Sequence, residues 1–277
     1  MARLVCVPRP LTPEQMIEAA RIAVELNPNN RPHAALVARA LSGGAPERAR
    51  IALVISKRWP ASGVRLSVKF IDDKPEAALR RRILSHMNAW GTPANVKFTE
   101  TNGAGDVRLS RRDTVKDGGY WSYVGTEIHA IDADEPTMNL EAFTMNTSEA
   151  EFRRVVRHEA GHTLGFPHEH MRRELVDLID REKAIKEFMR TQGWSRQEVI
   201  DQVLTPLDES TLIGSAHADP NSIMCYQIDG ALTKNGKPIV GGKDIDATDA
   251  KLAASFYPKT VAPKSTSRMR RASARPK

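Results

Sequence analysis

The residues best placed to do chemistry lie in one stretch, 148–170. Within it, His158 and His162 are four residues apart. On an α-helix this spacing puts both imidazoles on one face about one turn apart, where they can bind a single metal ion such as zinc. Glu159 follows His158 and is rotated about 100° around the helix. Its carboxylate is too far round to share the metal, but it can contact a water bound to the ion, which is the position of a general base.

A site with three protein ligands and one open position needs a further side chain, and helical spacing beyond His162 would carry that residue away along the helix axis. Gly165 removes this difficulty, because a residue without a Cβ can end a helix in the left-handed conformation. The chain can then turn back and bring His168 to the same ion. We therefore predict that His158, His162 and His168 bind one Zn²⁺ ion, and that Glu159 is the catalytic base.

The helix that carries these residues is predicted to begin at Ser148. Ser148 and Glu151 have the spacing of a capping box, in which each side chain binds a backbone amide of the other. Phe152, Val155 and Val156 give the following turns an apolar face.

The pattern HExxHxxGxxH at 158–168 resembles the zinc signature of the metzincin metallopeptidases. The sequence S-I-M-C-Y at 222–226 resembles the methionine turn of their astacin branch. This resemblance implies that Met224 packs beneath the ligands. It also implies that Tyr226 reaches toward zinc and helps to stabilise the oxyanion, as a second catalytic residue.

Three further segments resemble astacins or their bacterial relatives, so that the resemblance covers about 59–258. They are G-F-P-H-E at 165–169, W-S-Y-V-G within 120–125, and the stretch 57–68 at the start of the catalytic domain. Glu174, Leu175 and Val176 depart from the usual astacin continuation, and the usual disulfide cysteines are absent. These departures favour a leaderless or bacterial relative.

The resemblance implies an α+β fold, a metzincin-like two-subdomain zincin. A twisted, mixed five-stranded sheet and the zinc-binding helix lie above the cleft, and the lower subdomain is mainly helical. The residue patterns agree. Strands are predicted at 65–71, 96–101, 106–110, 120–125 and 137–143, and helices at 75–90, 180–189, 195–204 and 248–257. By resemblance, strand 120–125 is the exposed edge that offers backbone groups to an extended peptide.

Three parts are predicted along the chain: a helical segment 1–55, a catalytic domain 56–258 and a basic, disordered tail 259–277. Helices are predicted at 12–26 and 33–41, and the segment could be an inhibitory pro-segment. Two interpretations of Cys6 stay open. It could be a thiolate that blocks the zinc, because the resemblance implies that astacins are often kept latent by an upstream aspartate, or it could be a small apolar side chain.

Composition limits the remaining possibilities. The tail holds seven basic residues and no acids, so 41 − 7 leaves 34 basic residues against 34 acidic ones, and the net charge of +7 resides in the tail.

Neither a secretory signal nor a membrane-spanning stretch is recognised, which leaves localisation open between the cytoplasm and a leaderless export route. We expect a monomer with a protein or peptide substrate and no nucleic-acid partner.

The predicted function is that of a zinc-dependent endopeptidase, which hydrolyses peptide bonds with a metal-activated water and Glu159 as general base. The alternative is an inactive or structural-zinc protein-binding module, whose basic tail binds anionic partners.

Overall fold

The computed structural model describes residues 6, 9–32, 56–71, 75–114, 117–206 and 217–259. The predicted helix at 33–41 and all but the first residue of the basic tail lie outside the described residues. Within these ranges, no helix is both long enough and apolar enough to cross a membrane.

The upper part of the molecule is built on a mixed five-stranded sheet. Its strands are β1 (Val64–Phe70), β2 (Val96–Glu100), β3 (Val107–Ser110), β4 (Tyr120–Ser122) and β5 (Met138–Leu140). Their order is β2-β1-β3-β5-β4. All neighbours are parallel except β4, which runs antiparallel to β5. In the described part of the chain β4 therefore lies at the edge of the sheet, as predicted.

Strand β4 is shorter than predicted because the chain turns soon after it. Gly125 has a φ of +55°, and a Cβ there would lie 1.8 Å from the backbone oxygen of Lys57. Only glycine fits this close approach. A 3₁₀-helix, Gly125–Ala130, starts at this point.

Within the described residues, the predicted helices are found in the predicted order, and most of their ends shift by at most three residues. The helix predicted at 195–204 differs, because its second half, Ile200–Leu204, is a π-helix. The α-helices are α1 (Pro13–Leu26), α2 (Ala77–Met87), α3 (Arg157–Thr163), α4 (Arg173–Val176), α5 (Arg181–Gln192), α6 (Arg196–Val199) and α7 (Ala247–Phe256). Short 3₁₀-helices lie at Pro28–Asn30, Asn88–Gly91, Glu169–Met171 and Gly230–Leu232.

The helix predicted to begin at Ser148 is not a regular α-helix throughout. Ser148 Oγ accepts a hydrogen bond from the Glu151 amide at 3.2 Å, so the predicted start is correct and one of the two hydrogen bonds of the predicted capping box is formed. A π-helix, Phe152–Val156, then precedes α3. Val155 and Val156 both lie in this π-helix and are fully buried in the core.

The apolar core is divided into two clusters. The upper one packs the sheet against α2, α3 and α7 and includes Met224. The lower one gathers side chains of α5, α6 and the chain after Cys225. Because Met224 and Cys225 are consecutive, the turn 222–226 joins the two clusters, and the candidate site lies between them.

Helix α1 begins with the predicted capping box between Thr12 and Gln15. It packs against the 3₁₀-helix that follows β4. Just after α1, the Asn30 side-chain amide donates to the Arg58 backbone oxygen at 2.8 Å, and the Asn27 amide donates to that of Trp59 at 2.9 Å. The N-terminal segment is thus tied to the start of the predicted catalytic domain.

Candidate metal centre

The three predicted histidine ligands converge on one point. His162 Nε2 lies 3.1 Å from His158 Nε2 and 2.9 Å from His168 Nε2. His158 Nε2 and His168 Nε2 are 3.3 Å apart. All three side chains are buried. Three ring nitrogens that face each other this closely are a donor set for a cation.

The backbone fixes which nitrogen of each α3 imidazole faces that point. His158 Nδ1 is 2.6 Å from the Ile223 carbonyl oxygen, and His162 Nδ1 is 2.7 Å from that of Phe166. A carbonyl only accepts, so each Nδ1 carries the proton and donates it. The lone pair of each Nε2 is then available to a metal.

Gly165 provides the turn that the sequence predicts. Its φ is +94°, and the Phe166 amide donates back to the Gly161 carbonyl at 3.1 Å. This closes the end of the helix and sends His168 toward the other two rings.

The methionine turn supports the site from below. A Cβ on Gly161 would lie 2.5 Å from Met224 Sδ, so the sulfur packs directly on the backbone of α3. The Met224 carbonyl also accepts a hydrogen bond from the Glu169 amide at 2.9 Å. These contacts place the methionine beneath the ligands, as the resemblance implies.

Asp249 on α7 holds this turn, and sequence reasoning did not find it. It accepts hydrogen bonds from Ser222 Oγ at 2.6 Å and from the Ile223 amide at 2.9 Å. Its only sequence signal is its spacing from Asp246, with which it forms the capping box of α7. That spacing predicts the start of a helix, but it does not predict a contact with a distant turn.

Burial keeps the cluster uncharged. It lowers the pKa of His162 to about 4, and it lowers the pKa values of His158 and His168 well below their usual range. These rings therefore stay neutral, which is the form that binds a metal. The residues present thus fit a zinc ion.

Glu159 is fully buried at this cluster. Burial raises its pKa well above the usual value for a glutamate. Its Oε1 has no hydrogen-bond partner in the described part of the chain. Such an orphaned buried oxygen requires an explanation, and a site for water and substrate at the metal provides one.

Cys6 lies in the same cluster. Its Sγ and one ring nitrogen from each of the three histidines are all within 4.8 Å of one another. The Sγ is also 3.6 Å from Glu159 Oε2. Cys6 therefore lies at the site in the folded chain, although it is 153 residues from Glu159 in the sequence. Distance along the sequence concealed this contact, because α1 folds back along the catalytic domain.

Tyr226 completes the site. Its ring stacks on His170 at a centroid distance of 3.9 Å, and its hydroxyl donates to the Cys6 backbone carbonyl at 2.7 Å. His170 is a second residue that the sequence did not reveal. Burial lowers its pKa to about 3, and its Nε2 donates to the Gln202 carbonyl at 3.1 Å, so a neutral ring positions the phenol.

Comparison with known proteins identifies relatives of this architecture. Residues 53–248 match the model of a peptidase family described as Astacin. Two solved structures of myroilysin are 30% identical in sequence and cover 74% of this chain. One has a TM-score of 0.67 and is covered over 97% of its length, and the other has a TM-score of 0.56 and is covered over 87%. They confirm the predicted α+β fold.

A curated relative is also similar. Zinc metalloproteinase nas-27 of Caenorhabditis elegans is 24% identical over 165 residues, which is 60% of this chain. The chain spans only 34% of the length of that relative.

Proposed function

The chain belongs to the astacin family of peptidases, and on that premise we propose that it is a zinc-dependent endopeptidase acting on protein or peptide substrates. One observation carries this proposal. Three neutral imidazoles converge beside a buried carboxylate whose Oε1 is unpartnered among the described residues. That combination of metal ligands and base is what hydrolysis by a metal-activated water requires.

His158, His162 and His168 would hold the zinc through Nε2. The ion supplies Lewis-acid chemistry, in that it polarises a substrate carbonyl and lowers the pKa of a water to about 7. The carbonyl oxygens of Ile223 and Phe166 keep the two α3 rings in the required tautomer.

Glu159 is proposed to take a proton from the attacking water and to return it to the leaving amine. The burial that raises its pKa also makes its carboxylate a stronger base toward that water. Cys6 Sγ lies on its Oε2 side, which leaves Oε1 available.

Tyr226 is proposed to donate a hydrogen bond to the oxygen of the substrate carbonyl in the transition state. Its hydroxyl already donates to a peptide carbonyl, that of Cys6. This donor is fully buried and is held by the stack on His170, so little reorganisation is needed when charge develops on the oxygen.

Residues 1–55 are proposed to be an inhibitory pro-segment, with the catalytic domain from residue 56 to 258. Cys6 would supply a fourth zinc ligand through its thiolate. Its position among the three imidazoles, and the packing of α1 against the 3₁₀-helix after β4, support this proposal. A zinc-bound thiol is deprotonated, which would reverse the raised pKa that burial gives Cys6 without the ion.

The same contact supports a second candidate function, a protein with structural zinc. Three histidines and one cysteine form a closed, four-coordinate site of the structural kind, with no open position. Such a protein would bind partners and cut nothing.

Peptide hydrolysis separates the two functions. Zinc-loaded protein with Cys6→Ala should cut peptides from a random library, and the Cys6→Ala, Glu159→Ala double variant should not, although it binds the same amount of zinc. A structural-zinc protein would show no cleavage that depends on Glu159.

A further inference from the structure

Arg9 lies in a small site on the edge strand β4. Its guanidinium carbon is 4.6 Å from the centre of the Trp121 ring. Its Nη2 is 3.7 Å from Asp117 Oδ1. The Arg9 side chain is 21% exposed, and its Nε is buried without a hydrogen-bond partner in the described ranges. Stacking and charge therefore hold this arginine, with one donor still unused.

The walls of this site belong to the catalytic domain. Trp121 is 2% exposed, and its Nε1 donates to the Asp117 backbone oxygen at 3.0 Å. The Tyr123 ring meets its edge at a centroid distance of 5.8 Å. On the far side, Asp117 Oδ2 accepts from Arg112 Nη1 at 3.2 Å. These contacts fix both the aromatic face and the carboxylate independently of Arg9.

Nearby negative charges offset part of the cost of burying this cation. Burial lowers the pKa of Arg9, and the charges of Asp117 and Glu135 act against that shift. Arg112 brings a positive charge to the same region, but it lies on the Oδ2 side of Asp117, and Oδ1 faces Arg9.

The site lies beside the edge strand β4 and not at the metal itself. Cys6 is at the three imidazoles, and a hydrogen bond with the Ser122 backbone on β4 acts on its thiol. Arg9 comes three residues after Cys6 in the chain, and it lies beside Trp121, which is also on β4. Three residues of chain span at most about 10 Å. Arg9 therefore lies within that distance of the residue at the metal, next to the edge strand.

We infer that Trp121 and Asp117 form a substrate subsite that binds a basic side chain, preferably arginine, about three residues from the residue at the metal. This inference rests on the proposed peptidase function. Arg9 occupies the subsite in the present structure and stands in for the substrate side chain. A planar guanidinium stacks on an indole face and binds a carboxylate at the same time, whereas a lysine ammonium is a compact, strongly hydrated charge.

The test uses the full chain with Cys6→Ala and Arg9→Ala, which frees both the metal site and the subsite. The peptides are compared in pairs, in which one member has arginine and the other has its uncharged isostere citrulline at the same position. Across the series, this position is varied from four residues before the scissile bond to four residues after it. At a position two to four residues from the bond, kcat/KM should be about 5- to 30-fold higher for arginine. Adding Asp117→Asn should bring this ratio toward one. The matched exposed change Asp177→Asn should not alter it.

The outcomes distinguish the subsite from the proposed function. Cleavage of all peptides with equal kcat/KM for arginine and citrulline overturns the subsite and leaves the peptidase intact. A ratio that survives Asp117→Asn also overturns it. If no peptide is cut, the proposed function fails, and the subsite is then decided by binding. Labelled peptides titrated into the Cys6→Ala, Arg9→Ala, Glu159→Ala chain should show a lower Kd for arginine, and equal Kd values overturn the subsite.

Discussion

The hydroxyl of Tyr226 donates a hydrogen bond to the backbone carbonyl of Cys6, with 2.7 Å between the two oxygens. The thiol of the same cysteine lies among the three imidazoles. One residue of the N-terminal segment thus presents a peptide carbonyl to the phenol and a sulfur to the metal ligands. In the proposed mechanism, the carbonyl takes the place of a substrate carbonyl at Tyr226. The sulfur takes the metal position that must be open for catalysis.

Tyr226→Phe should lower kcat by about 10²–10³-fold and leave KM nearly unchanged, because the lost hydroxyl acts mainly in the transition state. Steady-state kinetics in the Cys6→Ala background measure both constants. Zinc content should stay at the level of that background, since the imidazoles remain. A kcat within about twofold of it would show that the tyrosine only packs on His170.

In the Cys6→Ala background, Glu159→Ala should keep zinc and lose hydrolysis, whereas His162→Ala should lose both, because only the imidazole faces the metal point. Elemental analysis and a peptidase assay on the same samples test this separation. Equal loss of zinc from the two variants would contradict the role proposed for the carboxylate.

Cys6→Ala should raise the peptidase activity of the full chain by at least about tenfold, the effect of about 1.4 kcal/mol, because it removes the thiolate that we propose to block the zinc. Cys225→Ala is the matched control. It is the other buried cysteine, and its Sγ contacts the Tyr226 carbonyl oxygen and not the imidazole cluster. Equal activation by both substitutions would indicate a general loosening of the structure.

Gly165→Ala should lower the free energy of unfolding by about 2–4 kcal/mol and also weaken zinc binding. The added Cβ meets the Lys57 oxygen at 3.2 Å on a backbone with a φ of +94°, and the strain would displace His168. Gly193→Ala is the control, because its φ is +70° and a Cβ there would meet nothing within 4 Å. It should cost only about 1–2 kcal/mol and leave zinc binding unchanged. Chemical denaturation and zinc titration measure both effects.

Local patterns predicted much of this site. The spacing of His158 and His162 on a helix, and the need for a turn at Gly165, follow from backbone geometry that a few residues encode. The structure brings these residues together as expected. The mixed five-stranded sheet and the edge position of β4 came from the resemblance. The strand order within the sheet was not predicted, since strand pairing depends on contacts between distant residues.

The features that sequence reasoning missed are all long-range contacts. Asp249 holds a turn more than twenty residues earlier, and His170 supports the ring of Tyr226. Cys6 reaches the cluster only because α1 packs against the 3₁₀-helix after β4. None of these contacts leaves a spacing pattern in the chain.

The most direct test of the account is X-ray absorption at the zinc edge of the purified full chain. We predict one zinc per chain with three nitrogen ligands at about 2.0–2.1 Å and one sulfur ligand at about 2.3 Å. The sulfur should disappear in Cys6→Ala while the three nitrogens remain. A chain that binds no zinc, or a zinc whose ligands do not include three imidazole nitrogens, would contradict the proposed metal centre. If the zinc of the wild-type protein has no sulfur ligand, the proposed inhibition by Cys6 is contradicted.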